Sequence, residues 1–87
     1  MARAVAAGRV VFADRYEEDE VTVILDHGEH YYTIYGNLLS SEVRVGESLA
    51  ASTRLGPVRT RGKEGAVLYF ELRHRGDTID PSPWLGL

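Results

Sequence analysis

Val, Ile, Tyr and Phe recur along this chain in runs of five to eight residues, broken by glycine-containing or charged turns, with no long stretch at the 3.6-residue spacing of a helix. That pattern restricts the fold to strands, with side chains alternating between two faces. "RAVAAGRVVFADR" predicts one strand bent at Gly8, and "EVTVILDH" predicts a second, joined to it by the acidic turn "YEEDE". "HYYTIYGNL" follows the tight "HGE" turn and is expected to pair antiparallel with the second strand. In "SEVRVGESLAAS", Val43, Val45, Leu49 and Ala51 flank Gly46, predicting a short strand, a turn and another strand. "TRLGPVRTRGKEG" is the longest irregular stretch, because Pro57 has no N–H to give a central strand. "AVLYFELRHRG" is the last long strand. Asp80-Pro81 and Ser82-Pro83 fix the tail that follows, which is expected to bring Trp84 and Leu85 over an open end of the sheets.

Eighty-seven residues, 44% hydrophobic and 26% charged, fit one small folded domain over 1–87. No run approaches the roughly 20 apolar residues of a membrane span, and "MARAVAAGRVV" turns polar too soon for a secretory signal. The lack of cysteine removes a disulfide framework and a thiolate zinc site. A net charge of −3 argues against a general nucleic-acid binder. The charge is unevenly spread: residues 1–47 carry four basic and nine acidic side chains, residues 48–87 six and four. Glu17 to Glu20 form an acidic run, and Arg54, Arg59, Arg61 and Lys63 a basic stretch.

Alternation puts Val67, Tyr69, Glu71 and Arg73 on one face of their strand and apolar Leu68, Phe70 and Leu72 on the other. Likewise Tyr31, Thr33, Tyr35 and Asn37 share one face, and Tyr32, Ile34 and Gly36 the opposite one. His27 and His30 flank a glycine turn and His74 lies between two arginines, so all three are expected at the surface rather than on a metal.

Taken in order, "AVAAGRVVFAD", "VTVILDHGEHYYTIYGNL", "VRVGESLAA" and "LYFELRHRGDTIDPSPWL" resemble the C-terminal half to two-thirds of a LytM/lysostaphin-type zinc endopeptidase domain. Within that superfamily the chain is most similar to the degenerate, EnvC-type domains, which share the "LYFE-hydrophobic-R" strand and the "PWLG" ending. The resemblance implies a flattened antiparallel β-sandwich, the barrel-sandwich hybrid architecture. Active members carry a His and Asp ligand pair upstream, a catalytic His in a "Y-x-H-L" strand, and a "H-x-H-F-E" strand with another catalytic His and the last zinc ligand. Here Asn37 stands at the first catalytic position, and Val67 and Tyr69 stand at the two histidines of the second strand. The upstream ligand segment is expected to be missing from the domain. Catalytic zinc needs about three N, O or S ligands and an open position. Valine has no lone pair, a neutral tyrosine is a poor ligand, and Glu71 alone cannot hold the ion. No metal, cofactor or catalysis is expected.

What the resemblance implies instead is a non-catalytic cell-wall regulator that binds and activates or recruits a peptidoglycan hydrolase, an amidase, through the former active-site groove. Tyr35, Asn37, Val67, Tyr69 and Arg73 would floor that groove, with Arg59, Arg61 and Lys63 as one wall, and Tyr and Arg are residue types enriched at binding hot spots. The alternative is a passive peptidoglycan-binding module. A lipoyl-type carrier fits poorly, because the only lysine, Lys63, has no methionine beside it. The resemblance places the domain outside the cytoplasm, in the periplasm or cell envelope. Missing upstream strands would leave a sheet edge open, so a homodimer or strand exchange is expected. Two loops depart from the EnvC-like pattern: "YEEDE" replaces a Gly-rich hairpin tip, and "RLGPVRTRGKEG" replaces a Gly/Ser-rich loop.

Overall fold

The register of one strand pair decides which residues this protein shows to solvent. In the computed structural model, which describes residues 1–17, 20–60 and 62–82, β4 (Tyr31–Leu38) pairs antiparallel with β7 (Tyr69–His74). Gly36 lies opposite Tyr69, Ile34 opposite Glu71 and Tyr32 opposite Arg73. Residues directly opposite in an antiparallel pair share a face, so the register joins the even-numbered residues of β4 to the odd-numbered ones of β7.

Around this pair, β2 (Gly8–Glu17), β3 (Glu20–Gly28), β5 (Ser48–Leu49) and β8 (Asp77–Ile79) complete a six-stranded sheet in the order β5-β2-β3-β4-β7-β8. The short strands β1 (Ala2–Arg3) and β6 (Arg54–Gly56) form a second, two-stranded sheet. Every strand pairing among the described residues is antiparallel, and Gly62–Glu64 forms a 3-10 turn. The expected all-β architecture is therefore present.

The core lies between one face of the large sheet and the layer of β1, β6 and the 43–55 segment. Val10, Val23, Leu25, Tyr35, Leu38, Leu49 and Leu55 meet there with Ala2, Ala4 and Val43. The second layer is held together by backbone bonds, Ala4 N–H donating to Thr53 O, Ser52 N–H to Ala4 O and Glu42 N–H to Leu55 O, and is joined to the large sheet by Val10 N–H donating to Glu47 O and Gly46 N–H to Val10 O. Burial of this apolar face is the main driving force for closing the layers. The other face of the large sheet is left open.

The β3–β4 turn forms as expected, with Glu29 and His30 at φ 52° and 67°, the left-handed conformations of a two-residue hairpin whose twist matches its strands. Two strand expectations are corrected. "RAVAAGRVVFADR" is not one bent strand: β1 ends at Arg3, pairs with β6 in the other layer, and is separated from β2. The "VRVGESLA" segment is not a pair of strands either, since only Ser48 and Leu49 are extended in a sheet and Val45 faces solvent. The chain there serves as a lid for the core through Val43 and Leu49. Trp84 and Leu85, expected to plug an end of the sheets, lie outside the described residues.

Bulges set the phase of β2 and β4. Val10 pairs with Leu25 and Phe12 with Ile24, so Val11 is the extra residue and is pushed outward. Val21 pairs with Leu38 and Val23 with Tyr35, so Gly36 and Asn37 together oppose Thr22. Asn37 takes the left-handed conformation, φ 62°, that such a bulge requires and that asparagine tolerates better than most residues. Without that extra residue, Tyr35 and Leu38 could not both point into the core.

Candidate functional site: an open groove on the uncovered sheet face

The uncovered face of β2, β3, β4 and β7 forms a groove of about 580 Å3. Its lining comes from Phe12 and Tyr16 on β2, Glu20, Thr22 and Ile24 on β3, Ile34, Gly36 and Asn37 on β4, and Tyr69, Glu71 and Arg73 on β7. Phe12, Ile24 and Ile34 make the floor apolar, and polar groups come from β7 and from Glu20, Thr22 and Asn37.

Glu71 organises those groups. Its Oε2 accepts from the Tyr69 hydroxyl at 2.7 Å, and its Oε1 accepts from Arg73 Nε at 2.6 Å and Thr78 Oγ1 at 2.8 Å. The Tyr69 hydrogen bond, then that of Arg73, holds the Glu71 carboxyl below its ordinary range. By the same bond, Glu71 pushes the Tyr69 phenol up and keeps Arg73 charged. The network fixes Arg73 through Nε and leaves the Tyr69 side chain exposed to the groove, 55% accessible. The Tyr69 ring lies on Gly36, where an added Cβ would come within 3.2 Å of Tyr69 Cβ. Glycine on one strand thus gives an aromatic ring on its neighbour a flat seat.

Asn37 closes one end. Its Nδ2 donates to the carbonyl oxygens of Val67, at 2.5 Å, and Arg59, at 3.3 Å, while its own carbonyl accepts from Arg59 N–H at 2.9 Å. These bonds tie the loop bearing Arg59 and the 3-10 turn with Lys63 to the end of β4. Asn37 Oδ1 is buried with no hydrogen-bond partner.

Of the residues expected to floor the groove, the structure brings Asn37, Tyr69 and Arg73 together and removes Tyr35. Tyr35 is fully buried on the core side, its ring edge-on to Phe70 at 5.4 Å and its hydroxyl bonded to Val5 N–H and Thr33 Oγ1. Burial is the main cause that pushes its phenol up. The correction follows from the β4–β7 register: even-numbered Ile34 and Gly36 share the groove face, and odd-numbered Thr33 and Tyr35 do not. Val67 stands before β7 and outside the lining, exposed, with its carbonyl held by Asn37. Of the three residues expected to wall the groove, Arg59 and Lys63 are not among its lining residues and lie on the loop whose backbone Asn37 holds, and Arg61 lies outside the described residues. The β2 wall, Phe12 and Tyr16, was not expected from sequence. The alternation of Phe12, Asp14 and Tyr16 against core-packed Ala13 was its only local signal.

The histidines stand apart from the groove. His27 is half-buried rather than an exposed turn residue, with Nδ1 2.7 Å from Ala7 O and Nε2 2.6 Å from Thr33 Oγ1. His74 is half-buried and stacks on Tyr31, centroids 3.9 Å apart and planes 7° off parallel. A zinc ion of the kind the resemblance attaches to this fold does not fit the groove. Among the described residues no three His, Cys, Asp or Glu side chains come together to hold a metal. Glu71 already accepts three hydrogen bonds, and the Asn37 amide nitrogen is committed to two carbonyls.

The fold is that of an all-β, LytM-type domain. The chain belongs to peptidase family M23, whose profile matches residues 1–81. It is 36% identical over 85 residues to the murein hydrolase activator EnvC of Escherichia coli, a match covering 97% of this chain and 20% of that protein. It is 26% identical over 83 residues to the murein hydrolase activator NlpD of Escherichia coli, 94% of this chain and 22% of that protein. The chain thus spans about a fifth of the length of these relatives. Among solved structures, a putative M23 peptidase from Pseudomonas aeruginosa superposes with a TM-score of 0.84 at 26% identity, covering 97% of this chain and 37% of that one.

Proposed function

We propose that this domain is a non-catalytic regulator in the cell envelope, which binds a peptidoglycan hydrolase of the amidase class through the open groove and activates or recruits it. Its M23 relatives EnvC and NlpD are named murein hydrolase activators, which supports a regulatory role. One observation carries the reading. The Glu71 carboxylate and the Asn37 amide nitrogen in the groove are tied into internal hydrogen bonds, while the Tyr69 and Arg73 side chains stay exposed above an apolar floor. Asn37, Val67 and Tyr69, standing where the active domains have histidines, supply no catalytic zinc site. Tyr and Arg over an apolar floor that a partner can desolvate are what a protein-binding hot spot needs.

Calorimetry against the purified amidases encoded in the same genome tests this. Saturable binding that Tyr69→Ala and Arg73→Ala each weaken by tenfold or more is expected; binding unchanged in both variants rejects the groove. Retention of the domain on purified cell-wall sacculi, with no amidase binding, would establish the passive peptidoglycan-binding module instead. A second copy pairing along the outer edge of β2, beyond the Gly8–Arg9 stretch that β5 covers, remains an expectation that light scattering decides.

A further inference from the structure

A run of hydrogen-bonded side chains begins and ends on the connection between β1 and β2. Val5 N–H donates to the Tyr35 hydroxyl at 3.1 Å, and that hydroxyl lies 3.0 Å from Thr33 Oγ1. Thr33 Oγ1 in turn lies 2.6 Å from His27 Nε2, and His27 Nδ1 lies 2.7 Å from Ala7 O. Thr33 and Tyr35 are fully buried. Gly8 leaves room for the imidazole, since a Cβ there would come within 2.9 Å of His27 Nδ1. A backbone carbonyl only accepts, so Nδ1 carries a hydrogen. With Nε2 bare, the Thr33 hydroxyl donates to it, the Tyr35 hydroxyl donates to Thr33 Oγ1, and Val5 N–H donates to Tyr35, so that four hydrogens fill four contacts. An imidazolium brings a fifth. Nε2–H then donates to Thr33 Oγ1, and the hydrogen of either the Thr33 or the Tyr35 hydroxyl is left without an acceptor in the core, where an unmade bond is costly.

We propose that His27 is a proton-operated latch between the two layers: as the neutral Nδ1–H tautomer it closes the run, and a second ring proton opens it. What the latch holds is the 5–7 connection, which leads into β2 from β1 and from Ala4, itself bonded to Ser52 and Thr53. His27 and Thr33 belong to β3 and β4, so the small layer is tied to the middle of the large sheet. The titratable groups on the elements around the imidazole are Arg9 on β2, Asp26 on β3, Glu29 and His30 in the turn that follows, and Tyr31 and Tyr35 on β4. Asp26 lies opposite Arg9, and its Oδ1 accepts from Gly28 N–H. Neither carboxylate relieves the surplus hydrogen, because that hydrogen falls on Thr33 or Tyr35. The unfolded chain, whose imidazole takes up its second proton freely, therefore binds more protons than the latched fold. The contact between layers is intact above the range in which histidine charges and loosens as pH falls through it, roughly from 8 to 5.

Nitrogen-15 NMR of the unmodified chain reads the latch directly. At a pH of about 7.5, His27 is expected as the Nδ1–H form with Nε2 accepting a hydrogen bond. As the imidazole charges, amide exchange at Ala4, Val5 and Ser52, corrected for its intrinsic pH dependence, is expected to rise about tenfold or more relative to Ile24 and Ile34 in the β3–β4 ladder. His27→Gln cannot charge, so the same amides are expected to show no such excess over this range, whatever their baseline, while His30→Gln behaves as the unmodified chain. An Nε2–H tautomer at neutral pH overturns the proposal. So does a charged His27 with Val5 still protected, or an acid response that His27→Gln retains.

Discussion

Asn37 combines a left-handed backbone, two side-chain bonds to loop carbonyls and a buried acceptor with no partner. The sequence marks it only as the residue standing where active relatives have histidine, and its structural role follows from the bulge. Asn37→Gly keeps the φ of 62° and loses the two bonds, whereas Asn37→Ala loses both the bonds and the comfortable conformation. Urea unfolding should rank the alanine variant below the glycine variant by about 1 kcal/mol. Asn37→Asp should be the least stable, because a carboxylate would face the carbonyls of Val67 and Arg59. Glu71 gives a pH test. Its folded pKa is depressed, chiefly by the Tyr69 and Arg73 bonds, so its contribution is present at neutral pH. That contribution begins to be lost as pH falls below the unfolded value near 4.3, and is gone once pH passes through the lower folded value. The gap in Tm between the parent chain and Glu71→Gln should therefore be widest near neutral pH and narrow as pH falls through the acid range.

At the scale of elements, turn chemistry was legible and strand boundaries were not. The "HGE" turn could be read because Gly28, Glu29 and His30 all adopt positive φ, which few residue sequences allow. The break between β1 and β2 left no comparable mark, since Ala4 to Ala7 are as apolar as the strands they separate. What separates them is the non-local bonding of Ala4 to Ser52 and Thr53. Two substitutions probe such contacts. At Gly56 a Cβ would run into the backbone carbonyl oxygen of Ser40, so Gly56→Ala should cost about 1–3 kcal/mol and loosen β6 against the 40–42 segment, seen as faster amide exchange at Glu42 and Leu55. Thr33 Oγ1 lies between His27 Nε2 and the Tyr35 hydroxyl in the core wall. Thr33→Val keeps the shape and removes one hydrogen bond from each partner, and should lower stability by about 1–3 kcal/mol in denaturant melts.

Across the whole molecule, the decisive quantity is which face of the large sheet the second layer covers. Two tyrosines on neighbouring strands report it. Tyr35→Ala should cost about 3–5 kcal/mol by opening a cavity among Val23, Leu25 and Phe70, while Tyr69→Ala, whose ring is 55% exposed, should cost less than about 1 kcal/mol and act on binding alone. Thermal melts beside the binding assay separate the two. The amino-acid sequence by itself determined the all-β class, the β3–β4 hairpin, the apolar face of β7 and the unlike charges of the Glu17–Glu20 run and the Arg54–Lys63 stretch. Each depends on local alternation, turn conformation or composition. The partition of β4 was decided only in three dimensions. Alternation fixes which residues share a face within one strand, but the phase between strands depends on register, and register here depends on the bulge at Gly36–Asn37 and the pairing of Gly36 with Tyr69. A shift of one residue would have put Tyr35 in the groove and Ile34 in the core. Burial of Tyr35 with Val23 and Leu25 against the second layer forbids it.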